Sequence, residues 1–333
     1  MKSALKLLLG VAIAGVFLWL SLKQVQWSEL TGLLRTLSWG WLLPFTIIAL
    51  MSHYARAYRW KLLLEAEEGK KVHALTLFTG LMYGYVANIA IPRLGEVMRS
   101  VYVTQREPVH MPKVIGTVVL ERLLDVVFLL LSIAVFFFLM LRDRSVLAGI
   151  VGDEGVQRLE FLFSGTFWIV GLVTLVGGFF AVRAAYSFFA SHDYPEGTWK
   201  HRFSAMAHQF ASGLVSIRST GRPALFWTLS AVMWFGYTAM SLVPFWAFPE
   251  ATHPDNLFHA AFAIAVVGSL GFAIPSPSGL GTYHYFVSQT LVGLYAFTMN
   301  DALAYALINH TANLLVMLLA APMLLVWNRI RIG

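Results

Sequence analysis

Long apolar runs separated by short polar stretches dominate this chain. Measured against the ~20 residues needed to cross a ~30 Å hydrocarbon core, the runs are Leu5–Leu22, Trp41–Tyr58, Ala74–Pro92, Val114–Leu141, Phe163–Val182, Ala224–Phe248, Leu257–Pro275, Gly279–Phe297 and Ala302–Trp327. Each predicts a helix, so the fold expected is all-α: a polytopic integral membrane protein with about 7–9 membrane segments. The first run follows Lys2 and Lys6 as a leader would. It continues to Leu22 with no small-residue cleavage site before Lys23 and Gln24, and is expected to be retained. Composition agrees, with 58% hydrophobic residues, 12% charged and a mean hydropathy of +0.68. Such a balance lies far from that of soluble domains.

Charge decides the orientation, because lysine and arginine concentrate in cytoplasmic loops. Residues 56–73 carry Arg56, Arg59, Lys61, Lys70 and Lys71; residues 93–113 carry Arg93, Arg99, Arg106 and Lys113; residues 183–222 carry Arg183, Lys200, Arg202, Arg218 and Arg222. All three belong inside. An ordinary crossing by Ala74–Pro92 would put the first two on opposite faces. Residues 74–105 are therefore expected to enter from the cytoplasm, break at Asn88–Pro92 and return as a re-entrant helical hairpin. The acidic 142–160 loop then falls outside, and both termini fall in the cytoplasm of a bacterial-type inner membrane. The net charge of +7 fits loops facing anionic lipid.

A second charge-free break, Ala273-Ile274-Pro275-Ser276-Pro277-Ser278-Gly279-Leu280-Gly281, shares Ala-Ile-Pro with Ala90–Pro92. Proline removes a backbone donor, and the peptide groups left over need protein or a watery cavity to satisfy them. Two readings stay open: a second hairpin entering from outside, completing an inverted repeat, or a tight turn between two full crossings. The expected organisation is a single membrane domain over 1–333. Its N-terminal half, 1–182, holds the hairpin near 74–105, and its C-terminal half, 223–327, holds the break near 273–281. Between them, Phe203, Met206, Phe210, Leu214 and Ile217 recur at helical spacing in 198–218, the pattern of a linker helix in the headgroup plane.

Ionisable residues close to apolar runs are costly and so informative. One group is Arg93, Glu96 and Arg99 just past the first break; the other is Glu121, Arg122 and Asp125 early in the fourth run. Glu121 and Asp125 share a helix face at i,i+4, while Glu96 with Arg99 and Arg122 with Asp125 are i,i+3. Three arginines balance three carboxylates. A purely structural ion-pair network and a network that exchanges partners with an anionic lipid headgroup both fit. Arginine suits the second role because its planar fork binds phosphate oxygens in bidentate fashion.

At these motifs the sequence resembles the flippase-like family named for the transmembrane region of lysylphosphatidylglycerol synthase. The resemblance rests on Arg56-Ala57-Tyr58-Arg59-Trp60-Lys61-Leu62-Leu63-Leu64, Pro92-Arg93-Leu94-Gly95-Glu96-Val97-Met98-Arg99, Glu121-Arg122-Leu123-Leu124-Asp125 and Pro275-Ser276-Pro277-Ser278-Gly279-Leu280-Gly281. The family commonly has Pro-Gly-Gly-Leu-Gly and a nearby glutamate, where this chain has Ser278 and, downstream, His284. No soluble aminoacyl-transfer domain is expected. The resemblance implies lipid translocation and not lipid aminoacylation.

Other chemistry finds no support. With no cysteine, disulfides and thiolate sites are excluded, and no zinc-protease, phosphate-loop or nucleophile-elbow motif occurs. No cofactor, metal, nucleic acid or enzymatic activity is expected. Asn309, His310 and Asn313 form a polar patch on the last run, expected to serve interhelical hydrogen bonds. The function expected is transport of a membrane phospholipid or polyprenyl-type lipid with an anionic headgroup. Arg56 and Arg59 would attract the headgroup at the cytoplasmic surface, and Arg93, Arg99 and Arg122 would bind it. Glu96, Glu121 and Asp125 would position those arginines. Pro92, Gly95, Pro275, Pro277, Gly279 and Gly281 permit the breaks, and His284 is a candidate proton site. The alternatives are a membrane-embedded enzyme acting on a lipid-linked substrate and a non-transporting accessory protein.

Overall fold

The computed structural model describes residues 2–23, 25–91, 94–142 and 220–332. Pro92, Arg93, the Phe163–Val182 run, the 142–160 loop beyond Arg142 and the linker helix 198–218 lie outside them. Among the described residues the secondary structure is helical, with no strand. The helices are α1 (Lys2–Leu22), α2 (Trp27–Thr36), α3 (Leu42–Glu68), α4 (Ala74–Ala90), α5 (Leu94–Thr104), α6 (Met111–Arg142), α7 (Pro223–Leu242), α8 (Leu257–Ala273), α9 (Thr282–Tyr295) and α10 (Met299–Ile332). Met111–Leu139, Pro223–Ala247 and Met299–Asn328 are each long and apolar enough to cross a membrane alone. The chain divides into two compact units, Met1–Val119 with Arg222–Gly333, and Leu120–Gly221.

One expectation is corrected at once. Residues 56–73 are not a loop, because α3 runs on to Glu68 and ends on Gly69, whose left-handed φ of 67° lets its N–H reach the Glu65 carbonyl. Arg56 and Arg59 therefore lie within the helix.

Helices α4 and α5, of 17 and 11 residues, extend only about 25 and 16 Å at ~1.5 Å per residue. They pack along one another as a hairpin. Its feet are clasped together: Lys70 Nζ donates to the Pro108 carbonyl at 3.1 Å, and His73 Nδ1 lies 3.3 Å from the Glu107 carboxylate. One turn further out, Glu68 accepts the His110 N–H at 2.7 Å, and Lys113 donates to the Glu67 carbonyl at 2.8 Å. At the tip, Asn88 Oδ1 accepts the Gly95 N–H at 2.7 Å and so satisfies a donor in the first turn of α5. Below the tip the two backbones touch. A Cβ added at Gly95 would strike the Gly84 carbonyl oxygen, and one at Gly84 would come within 2.8 Å of the Gly95 oxygen. Small residues at such crossings let helices approach where lipid offers no hydrophobic driving force.

Helices α8 and α9, of 17 and 14 residues, form a second hairpin. Its feet meet where Tyr295 Oη and His259 Nδ1 lie 3.0 Å apart, and Gly268 and Gly271 on α8 admit Tyr283 of α9. The order is thus a long helix, a short hairpin and a long helix twice over: α3, α4–α5, α6 and then α7, α8–α9, α10.

Helix α10 contacts both hairpins. Its C-terminal Asn328 donates to Thr79 and to the Tyr102 hydroxyl, near the feet of the first. Its N-terminal end follows directly on Tyr295, a foot of the second, and Asn300 there donates to Glu29 of α2. Two apolar cores match these ends. One holds Trp60, Leu77, Val103, Val114 and Ala321; the other holds Trp41, Phe45, Phe245, Leu291 and Leu303.

Candidate functional site

Buried charge marks the first unit. Arg56, Arg59 and Arg99 are 6, 0 and 2% exposed, and a charge carried so far from water is retained only with good partners. Helical spacing on α3 puts His53, Arg56 and Arg59 on successive turns, with Trp60 beside Arg59. The pairs Arg56 Nη1 to Tyr237 Oη at 3.2 Å and Arg59 Nη1 to Ser230 Oγ at 3.4 Å set α3 antiparallel to α7. Gly236 lets the two come close, since a Cβ there would run into the Ser52 side chain. Aromatic rings supply the rest of the surroundings. The Arg59 guanidinium lies 5.8 Å from the Phe226 ring and that of Arg99 lies 4.8 Å from Trp60, distances at which a ring face attracts a cation. Trp60 is itself fixed by donating to Thr117 Oγ1 at 3.0 Å. The His53 ring sits 5.0 Å from Tyr85 and 6.3 Å from Tyr237.

Of the residues singled out from sequence, the fold brings Arg99 of α5 over Trp60 of α3, the residue next to Arg59, while Arg56 and Arg59 themselves reach α7. Glu121, Arg122 and Asp125 lie in the other unit, on α6; Glu121 is buried and the other two are half-buried.

The second tip gathers a polar cluster of its own. Ser278, Gly279 and Gly281 have φ of 49°, 75° and 79°; such a run of left-handed backbone suits glycine and explains the two that follow Ser278. Thr282 Oγ1 ties the tip together, bonding the Gly271 carbonyl at 2.8 Å and Ser276 Oγ at 2.9 Å. His310 donates through Nε2 to the Ser278 carbonyl at 2.9 Å, and Asn309 donates to the Tyr283 hydroxyl at 2.9 Å. These are interhelical bonds of the expected kind. The tip also packs against α1 and α4.

The model of the family described as the lysylphosphatidylglycerol synthase TM region matches residues 7–321. The chain belongs to that family. No curated protein and no solved structure matches it. The matched stretch contains both hairpins and every buried arginine named above, and membership makes the chain a multi-pass membrane protein related to lipid handling. For a lipid-handling family an apolar groove is a relevant feature. One of about 420 Å³ lies between α3, α4 and α10, with Met51, Tyr54, Phe78 and Met323 among its lining residues.

Sequence reasoning missed Tyr237 and Ser230, the contacts that Trp60 and Asn88 make, and the link between His310 and the second break. Asn88 carried a signal, since a side-chain oxygen seven residues before Gly95 spans the three-residue gap between α4 and α5. Ser230 and Tyr237 carried none, because their role depends on which helix α3 packs against.

Proposed function

We propose that this family member moves a lipid with an anionic or phosphate-bearing headgroup, a phospholipid or polyprenyl-type lipid, between the leaflets of a bacterial-type inner membrane. The observation that carries this reading is the set of buried arginines on α3 and α5, two of them backed by aromatic rings. Guanidinium forks match phosphate oxygens in bidentate fashion. Buried among polar and aromatic partners instead of facing water, they would exchange those partners for a headgroup. The lipid tails would follow the apolar groove between α3, α4 and α10. The test is the protein reconstituted in liposomes with labelled lipid. Redistribution of chemically unchanged lipid is expected; a change in lipid mass would make the chain an enzyme, and neither result would leave the charges structural.

In the same reading the two hairpins enter the membrane from opposite faces as an inverted repeat. Their feet sit at opposite ends of α10, and neither set of arms is long enough for the ~30 Å core with α5 of 11 residues and α9 of 14. Both termini then lie in the cytoplasm. The native chain has no cysteine, so single cysteines report without background. Cysteines replacing Lys70 and Arg106 are expected to label from the cytoplasm, and one replacing Asp255 from outside. External labelling at either of the first two would overturn the first hairpin's placement.

A further inference from the structure

His284 and His310 are 2 and 3% exposed, and their rings meet edge to face at 4.8 Å. The hydrogen bonds fix where their protons are. The Gly281 N–H points at His284 Nδ1, 3.3 Å away. A backbone N–H only donates, so Nδ1 offers its lone pair and the ring's proton is on Nε2. His310 Nε2 faces the Ser278 carbonyl and so carries its proton. Both histidines thus hold backbone atoms of the left-handed tip, one through a donor and the other through an acceptor. Gly281 cannot be replaced in this latch: its φ is 79°, and an added Cβ would collide with the Ala14 carbonyl and come within 2.9 Å of the Leu18 nitrogen on α1.

We propose that His284 is a proton-binding site that latches the tip of the second hairpin. A proton taken from water adds to the Nδ1 lone pair, which turns an acceptor into a donor facing the Gly281 N–H donor. The bond is lost and the tip is released. In the other direction, movement of the tip frees Nδ1 to take a proton, so lipid movement and proton binding share one step. This deepens the transport reading and rests on it only for the use the proton is put to.

The groups around the site leave that role to the imidazoles. No aspartate, glutamate, lysine or arginine occurs in α1 between Leu9 and Leu22, in α4, in α8, in α9 or in α10 between Ala302 and Trp327. The titratable groups on these packed elements are the tyrosines Tyr283, Tyr285 and Tyr295 on α9, Tyr305 on α10, Tyr83 and Tyr85 on α4, and His259 at the far end of α8. Imidazole is the one of these that changes charge between pH 5 and 8 when unperturbed.

The experiment needs no transport. In the full chain with Ser276→Cys, labelling of the tip by a water-soluble maleimide is measured from pH 8 to pH 5, each value divided by that of the denatured protein to remove thiol ionisation. Labelling should rise several-fold as the pH falls. His284→Gln should abolish the rise, because glutamine at the third helical position still accepts the N-cap N–H but does not titrate. His284→Asn serves in the same way if the glutamine variant fails to fold. Flat labelling in the otherwise native chain, or a rise that survives in a folded variant, overturns the proposal. Liposome transport, read separately, distinguishes the two failures. Lipid movement with flat labelling sinks the latch alone, whereas a responsive latch without lipid movement sinks the transport reading and leaves the proton site standing.

Discussion

Replacing Arg99 by glutamine is expected to abolish lipid redistribution in liposomes, and replacing it by lysine is expected to restore little of it. Arg99 is 2% exposed and lies over the Trp60 ring, so both its charge and its planar shape are in use. Removing a buried charge can itself cost about 3–5 kcal/mol by orphaning its partners, so the glutamine variant alone does not separate a structural role from headgroup binding. The lysine variant does. It keeps the charge and should hold the melting temperature close to native, but it loses the bidentate fork and the stacking of a flat guanidinium on indole. A folded Arg99→Lys protein with at least about a tenfold loss of transport, or ~1.4 kcal/mol of transition-state or headgroup affinity, is the expected result. Native transport by that variant would leave Arg99 a packing residue.

The second large effect is expected at Gly95. A methyl group there would fall on the Gly84 carbonyl and within 2.7 Å of the Asn88 amide. Helices α4 and α5 must then separate where Asn88 accepts the Gly95 N–H. Overpacking costs about 1–3 kcal/mol, and loss of the side-chain cap adds about 0.5–2 kcal/mol. Gly95→Ala should therefore lower the melting temperature sharply and reduce transport with it. Gly116→Ala is the control, since an added Cβ there meets nothing within 4 Å on α6. It should be neutral or stabilising by up to about 1 kcal/mol, the helix propensity difference. Equal melting temperatures for the two variants would mean that the contact between the hairpin arms contributes nothing.

What the sequence determined by itself follows from lipid as solvent. Apolar runs near the crossing length specify helices, and α1, α3, α4, α6, α7, α8, α9 and α10 each coincide with one of the runs read from the pattern. The breaks were legible too: Pro92 and the Pro275–Gly281 stretch interrupt apolar runs without polar compensation, and α4 stops at Ala90 and α8 at Ala273. Charge was legible as a count but not as a place. Arg56 and Arg59 counted toward a cytoplasmic loop because a tally of lysines and arginines takes no account of partners. Their burial depends on Tyr237 and Ser230 of α7, more than 170 positions away. His284 stood in the first turn of a helix by its distance from Gly281, and α9 begins at Thr282. That His310 reaches across to the same tip could be decided only by tertiary structure. Local periodicity fixes which residues share a helix face, whereas the partner helix for that face is set by close backbone approach at Gly84, Gly95, Gly236 and Gly271. Those contacts depend on all the packed elements together, and no local window of sequence contains them.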